Sequence, residues 1–209
     1  MKKISLLLLS ASLLILSAFT LRTDEGEKYP SLAIGAEMPM MDYSMLNVDQ
    51  SSMTLNDVKQ DNGTLVIFSC NTCPFVIQWE DRYDDVAGLA KRYGIGTALI
   101  NSNEAKREGD DSFDMMVEHA QEMNYFMPYL LDENSKLANA FGAKTTPHIF
   151  LFDGQNQLVY SGSIDDNSKD ANAVTERYLQ NALNELGMGK EITLKETPAK
   201  GCSIKRIKE

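Results

Sequence analysis

Apolar and polar positions along this chain follow two periods in turn. Thr64-Leu65-Val66-Ile67-Phe68 is a short apolar run rich in β-formers, bounded by the Asn62-Gly63 turn signal. A strand buried on both faces reads this way. Thr97-Ala98-Leu99-Ile100 and Ile149-Phe150-Leu151-Phe152 repeat the pattern, and Leu158-Val159-Tyr160 follows a turn at Asp153-Gly154. Met53-Thr54-Leu55 predicts a further short strand, leading into a helical turn over Leu55–Gln60. Between strands the period lengthens. Val76, Trp79, Tyr83, Val86 and Ala90 recur at helical spacing, which predicts a helix from Pro74 to about Tyr93 with the proline in its first turn. Ser112 caps a helix to Met123, Ser135–Phe141 ends at Gly142, and Ala171–Leu186 stops at Gly187. Strands alternating with helices predict an α/β fold: a central mixed β-sheet flanked by helices, with an antiparallel closing hairpin. No internal repeat interrupts it, and nothing marks a second domain.

The two ends depart from this pattern. Lys2 and Lys3 precede an almost unbroken apolar run from Ile4 to Leu21, with small residues at Ser17, Ala18 and Thr20. These are the marks of a secretory signal peptide over residues 1–22, or of an N-terminal anchor through residues 4–21 if it stays uncleaved. Export to the periplasm or another extracytoplasmic space is therefore expected. Residues 23–34 read as a polar linker, 35–190 as the folded domain, and 191–209 as a C-terminal tail with little apolar periodicity.

Charge narrows the function classes. The chain carries 30 acidic and 20 basic residues, for a formal net charge of -10. Removing Lys2, Lys3 and Arg22 with the signal leaves 17 basic residues against 30 acidic ones, a net of -13. Nucleic acid is excluded as a partner, because neutralising phosphates needs a basic face. Docking on anionic lipid is disfavoured for the same reason, so membrane association rests on the N-terminal segment alone. Three cysteines are too few to staple a miniprotein and become candidates for chemistry.

Two of them form Cys70-Asn71-Thr72-Cys73-Pro74, between a predicted buried strand and a predicted helix start. Free amides and the positive end of a helix dipole stabilise a thiolate there, and thiol pKa values in such settings fall to roughly 3.5–7.5. One thiolate can then attack a substrate disulfide and the other, one turn on, resolve the mixed disulfide. A structural staple would close a longer loop. A zinc site would need two more ligands at the usual spacing, which the distant His119 and His148 do not supply, so no metal is assigned. Thr145-Thr146-Pro147 precedes a buried strand, a place consistent with a cis proline.

Together these segments resemble the thioredoxin-like fold, in its redoxin-type, AhpC/TSA-related branch near thioredoxins and peroxiredoxins. The resemblance runs from about Ile34 to Met188. It also takes in Ile34-Gly35-Ala36, Ile100-Asn101-Ser102-Asn103, Asp110-Asp111-Ser112, Pro128-Tyr129-Leu130, Gly162-Ser163-Ile164-Asp165-Asp166 and Gly201-Cys202-Ser203-Ile204-Lys205. It is closest to an exported group whose usual motif is Cys-Asn-His-Cys-Pro. It implies a thiol–disulfide oxidoreductase in which Cys70 attacks, Cys73 resolves, and Thr146 and Pro147 present a backbone edge to the substrate. The implied partners are a disulfide-containing protein or small-thiol substrate and an upstream thiol reductant. No cofactor beyond the Cys70–Cys73 disulfide is implied.

This chain departs from the pattern at two positions. Thr72 stands where the group has histidine, which removes a positive charge from beside the pair. Thr64 stands six residues before the first cysteine, where thioredoxins carry a buried carboxylate, so no general base is assigned.

Two other functions compete. A peroxiredoxin-like thiol peroxidase would have threonine or serine three residues before its cysteine, but Ile67 stands before Cys70 and Cys70 before Cys73. A Cu(I) carrier would use Met38, Met40, Met41, Met45 and Met53 with the cysteine pair, although methionine is also an adaptable core filler. His119 is expected to be solvated on a helix surface and His148 to be a satisfied strand-start residue. Asp81, Asp84 and Asp85 read as a wet helix face. Cys202, the odd thiol, is a buried small residue, an intermolecular link or an accessory redox thiol.

Overall fold

The structure is a computed structural model and describes residues 28–207. The signal or anchor segment and the first part of the linker lie outside the described residues. Among those described, no helix is long and apolar enough to cross a membrane.

The fold is thioredoxin-like, a mixed sheet between helices. At its centre β3 (Gly63–Ser69) is buried at all seven positions. It runs parallel to β4 (Ile95–Asn101) and antiparallel to β7 (His148–Asp153). β5 (Tyr129–Leu131) lies parallel to β4. β1 (Met45–Asn47) and β2 (Ser52–Met53) extend that side, and β8 (Leu158–Gly162) closes the other, giving the order β2-β1-β5-β4-β3-β7-β8. Side chains alternate along β3 because successive Cβ atoms point to opposite faces. Leu65 and Ile67 join one core with Val76, Trp79 and Leu183, while Val66 and Phe68 join the other with Leu55 and Phe141. In the second core Phe68, Phe141, Phe150 and Phe152 meet edge to face, the arrangement that aromatic quadrupoles favour.

The helices follow the polar punctuation closely in three places. α1 (Leu55–Val58) opens on a capping box between Thr54 and Asp57, α4 (Phe113–Glu122) on Ser112, and α5 (Lys136–Phe141) ends at Gly142. Gly142 has φ 60°, and a Cβ there would lie 2.0 Å from the Pro30 carbonyl oxygen.

Two expected helices differ. The run from Pro74 to Tyr93 is broken into α2 (Pro74–Trp79), a 3-10 turn at Glu80–Arg82 and α3 (Tyr83–Arg92). At the break, inward polar groups are tied to separate elements. The Trp79 indole donates to Asp165 (2.7 Å), Arg82 lies 3.5 Å from the same carboxylate, and buried Glu80 bonds His119 (2.6 Å) and the Tyr125 hydroxyl. Burying such groups without partners is costly. His119 is thus not a solvated surface residue, as expected from its helix, but the partner of a buried carboxylate. The last helix, α6, spans Tyr178–Gly187 and not Ala171–Leu186. Asp170 caps a single turn at Ala171–Ala173, and Asp166 holds the amide and hydroxyl of Thr175. Such local side-chain bonds compete with helix.

The tail is also more than a tail. Ile192 and Ile204 are buried, Glu196 bridges to Ser161, and β9 (Cys202–Ser203) pairs antiparallel with β6 (Thr145–Thr146). At the other end Leu32 and Ile34 pack on the second core. These apolar residues come singly, so no periodicity announces them.

Ile204→Ala is expected to cost about 2–4 kcal/mol in urea unfolding, as buried Ile→Ala truncations do. A cost near zero would mean that the tail does not dock as described.

Candidate active site

Cys70 follows the last residue of β3, and Cys73 is the N-cap of α2, with Pro74 at the first helical position. A central strand that ends where a helix begins therefore sets the two thiols one turn apart. Both are buried, at 2% and 6% exposure, and unpaired. Thr146 meets both. Its Oγ1 lies 3.3 Å from the Cys70 sulfur, and its carbonyl accepts from the Cys73 thiol at 3.1 Å. The Thr146-Pro147 peptide is cis. On the other side Thr146 pairs with Cys202 across the β6–β9 ladder, so all three cysteines converge on one residue.

The pair shares its protons unequally. Cys73 is pulled down to about 4, first by the hydrogen bond from Cys70 and then by those from Cys202, the Val76 amide and Thr146. Cys70 is pushed up, first by that same bond and then by burial, with the nearby Asp111 charge adding to it. The Thr146 carbonyl favours the thiol form of Cys73, but several donors oppose this one acceptor. The two shifts run in opposite directions: the surroundings favour ionisation at Cys73 and disfavour it at Cys70.

Asn71, between the cysteines, is seated by a polar network whose core, Asn101, Asn103, Asp111 and Tyr129, is buried. Its amide donates to Asp111 (2.9 Å), its side-chain oxygen accepts from Tyr129 (2.8 Å), and its side-chain nitrogen donates to the Asp110 carbonyl (2.8 Å). Asp111 also accepts from Asn101 and Asn103, each at 2.9 Å. Asn103 in turn accepts from the Lys205 amide at 2.8 Å. One network thus fixes the cysteine loop and the tail three residues beyond Cys202.

The family model for AhpC/TSA matches residues 34–161. The chain belongs to the AhpC/TSA family. It is similar in structure to an uncharacterized conserved protein from Geobacillus kaustophilus, with TM-score 0.79, 34% identity, and 87% of this chain and 96% of that one covered. A hypothetical protein from Sinorhizobium meliloti 1021 gives TM-score 0.78 at 28% identity, covering 87% of this chain and 98% of that one. The thioredoxin domain of a thiol-disulfide oxidoreductase from Bacteroides vulgatus shares the fold at TM-score 0.51 and 18% identity, over 63% of this chain and 89% of that one. No curated protein matches.

In this AhpC/TSA-family chain Cys70, Cys73, Thr146 and Pro147 come together. The backbone edge of Thr146 that the resemblance offers to a substrate is occupied here by the chain's own β9. Asp111 and Tyr129 carry no sequence mark of a site role, because the bonds that join them to Asn71 cross the fold. The only sequence signal was Asp110-Asp111 and Pro128-Tyr129 among the segments of the resemblance. Thr64 is fully buried and its hydroxyl has no hydrogen-bond partner. His148 is buried, accepting from the Lys144 amide (3.2 Å) and bonding Ser161 (3.3 Å). Burial first, and Lys144 second, push its pKa down to about 3, so it stays neutral. Asp81, Asp84 and Asp85 are exposed as expected. Met38 and Met45 are buried core residues, with Met41 and Met53 packed against them.

Reduced protein is expected to show thiolate absorbance at 240 nm throughout pH 6–8 and to lose it on acidification with a midpoint near 4. The sign follows from the depressed pKa: the anion is present above it and protonated below it. A midpoint above 8 would contradict the lowered Cys73 pKa. Asp111→Asn replaces one of the two acceptor oxygens that serve three donors with an NH2 donor and is expected to cost roughly 1–3 kcal/mol in chemical denaturation, the penalty of a buried unsatisfied group. An unchanged midpoint would remove the network from the site.

Proposed function

We propose that the chain is an exported thiol–disulfide oxidoreductase working through Cys70 and Cys73. The observation that carries this reading is the pair itself: two buried thiols at a strand-to-helix junction, both held on Thr146. A thiolate stabilised without any external base is what disulfide exchange needs.

Cys70 passes its proton to the Cys73 thiolate and, as the anion, attacks one sulfur of a substrate disulfide, and the other half leaves as a thiolate that takes the proton from Cys73. Cys73 then attacks the Cys70 sulfur and expels the first half, closing the Cys70–Cys73 disulfide. Two electrons have passed to the substrate, and an upstream thiol returns them. The Thr146 hydroxyl, 3.3 Å from the Cys70 sulfur, can donate to the anion when Cys70 carries it. Disulfide exchange is favoured over peroxide chemistry because the residue three before Cys70 is Ile67, fully buried and without a hydroxyl. Export rests on the N-terminal Lys2, Lys3 and Ile4–Leu21 pattern. The strong acidity favours a neutral or basic partner surface.

Wild-type protein is expected to accelerate insulin reduction by dithiothreitol, and Cys70→Ser to return it to the dithiothreitol background. Equal rates in both would sink the assignment. With a disulfide substrate, Cys73→Ser is expected to accumulate the mixed disulfide on Cys70; accumulation in Cys70→Ser instead would move the attack to Cys73.

A further inference from the structure

The C-terminal segment lies where the redox site would present its edge to a substrate chain. β9 runs antiparallel to β6, with Cys202 opposite Thr146 and Ser203 opposite Thr145. Gly201 makes the approach feasible, since a Cβ there would sit 2.4 Å from the Thr146 carbonyl oxygen. Beyond Cys202 the segment is pinned three times. Ile204 is buried, the Lys205 amide donates to Asn103 (2.8 Å), and the Lys205 carbonyl accepts from the Ala105 amide (2.7 Å). Cys202 packs against the core that contains Cys70 and Cys73, but it is partly exposed where they are buried. Burial first, and the neighbouring Cys73 thiol second, raise the pKa of Cys202, while the Phe75 amide in the first turn of α2 opposes this.

We propose that Cys202 is a third redox thiol, an internal relay that carries the disulfide between the buried Cys70–Cys73 pair and the protein surface. The inference rests on the redox reading of that pair. Once Cys70–Cys73 is oxidised, the Cys202 thiolate attacks the Cys73 sulfur. A Cys73–Cys202 bond forms, the Cys70–Cys73 bond breaks, and Cys70 leaves as a thiolate that takes up the proton given up by Cys202. No net electrons move in this step.

An external thiol then attacks the sulfur of the partly exposed Cys202 and Cys73 leaves as a thiolate. A second external thiol attacks the external sulfur of that mixed disulfide and frees Cys202. Overall, two external thiols become one disulfide, and the protein regains its three thiols. The relay answers an access problem. Exchange rates depend on which sulfur an incoming thiol can reach, and neither cysteine of the pair is more than 6% exposed.

The test uses the full chain in two variants and wild type. Folded Cys70→Ser protein treated with diamide is expected to join Cys73 to Cys202, seen by mass spectrometry of a non-reduced tryptic digest. Two thiols that stay separately alkylatable, or that link only between molecules, would overturn the relay. In Cys202→Ser the Cys70–Cys73 disulfide is expected to form normally. Its reduction by glutathione, followed by Trp79 fluorescence, is expected to slow by roughly tenfold or more once the accessible thiol is gone. Rates equal to wild type would overturn the proposal even if Cys70→Ser failed to fold. If wild-type protein forms no Cys70–Cys73 disulfide under diamide, the redox reading fails and takes the relay with it. If that disulfide forms but Cys73–Cys202 does not, the relay alone fails.

Discussion

Three thiols far apart in the chain meet at Thr146. Its hydroxyl faces Cys70, its carbonyl accepts from Cys73, and its strand position pairs with Cys202. Each contact comes from a different part of the fold. Cys70 arrives from the end of the central strand, Cys73 from the start of the helix that follows, and Cys202 from the far C-terminal segment. The seven-stranded sheet, the break after Trp79 and the docked tail all hold these three approaches in register.

Burial and acidity act together at this point. A single buried thiol resists ionisation, because the anion loses its hydration. Two thiols in contact escape that penalty once, since the proton that one keeps solvates the charge of the other. The helix amide at Val76 adds a further donor. Thr72 lacks the positive charge that histidine would bring, so the stabilisation comes from hydrogen bonds and not from a neighbouring cation. Asp111 works in the opposite sense on Cys70, yet it is indispensable to the geometry, because the same carboxylate seats Asn71 and, through Asn103, the tail.

The parts of the fold legible in the sequence are those whose burial is two-sided or whose capping is local. β3, β4 and β7 read as apolar runs, Ser112 and Gly142 as helix ends, and the cis bond before Pro147 as an expectation from its place ahead of a strand. The cysteine pair was legible because the strand and helix around it were. What did not show is tertiary in origin. β5, β6 and β9 are two or three residues long and exist through pairing. The helix break follows from Asp165, His119 and Tyr125, distant residues that bind Trp79, Glu80 and Arg82. His119 sits on a helix whose pattern says nothing of the buried Glu80 it meets. Ile192 and Ile204 are isolated apolar residues in a polar segment. That segment therefore reads as a tail, although it is seated on the active site.

The most direct measurement is a redox titration of the reduced wild-type protein in dithiol buffers, with thiols counted by mass-tagging at each potential. If Cys70 and Cys73 are one redox couple, two thiols disappear together in a two-electron transition, with a midpoint inside the roughly -270 to -120 mV span of such motifs. Thiols that persist to the oxidising end, or that vanish one at a time with one-electron slopes, would contradict it.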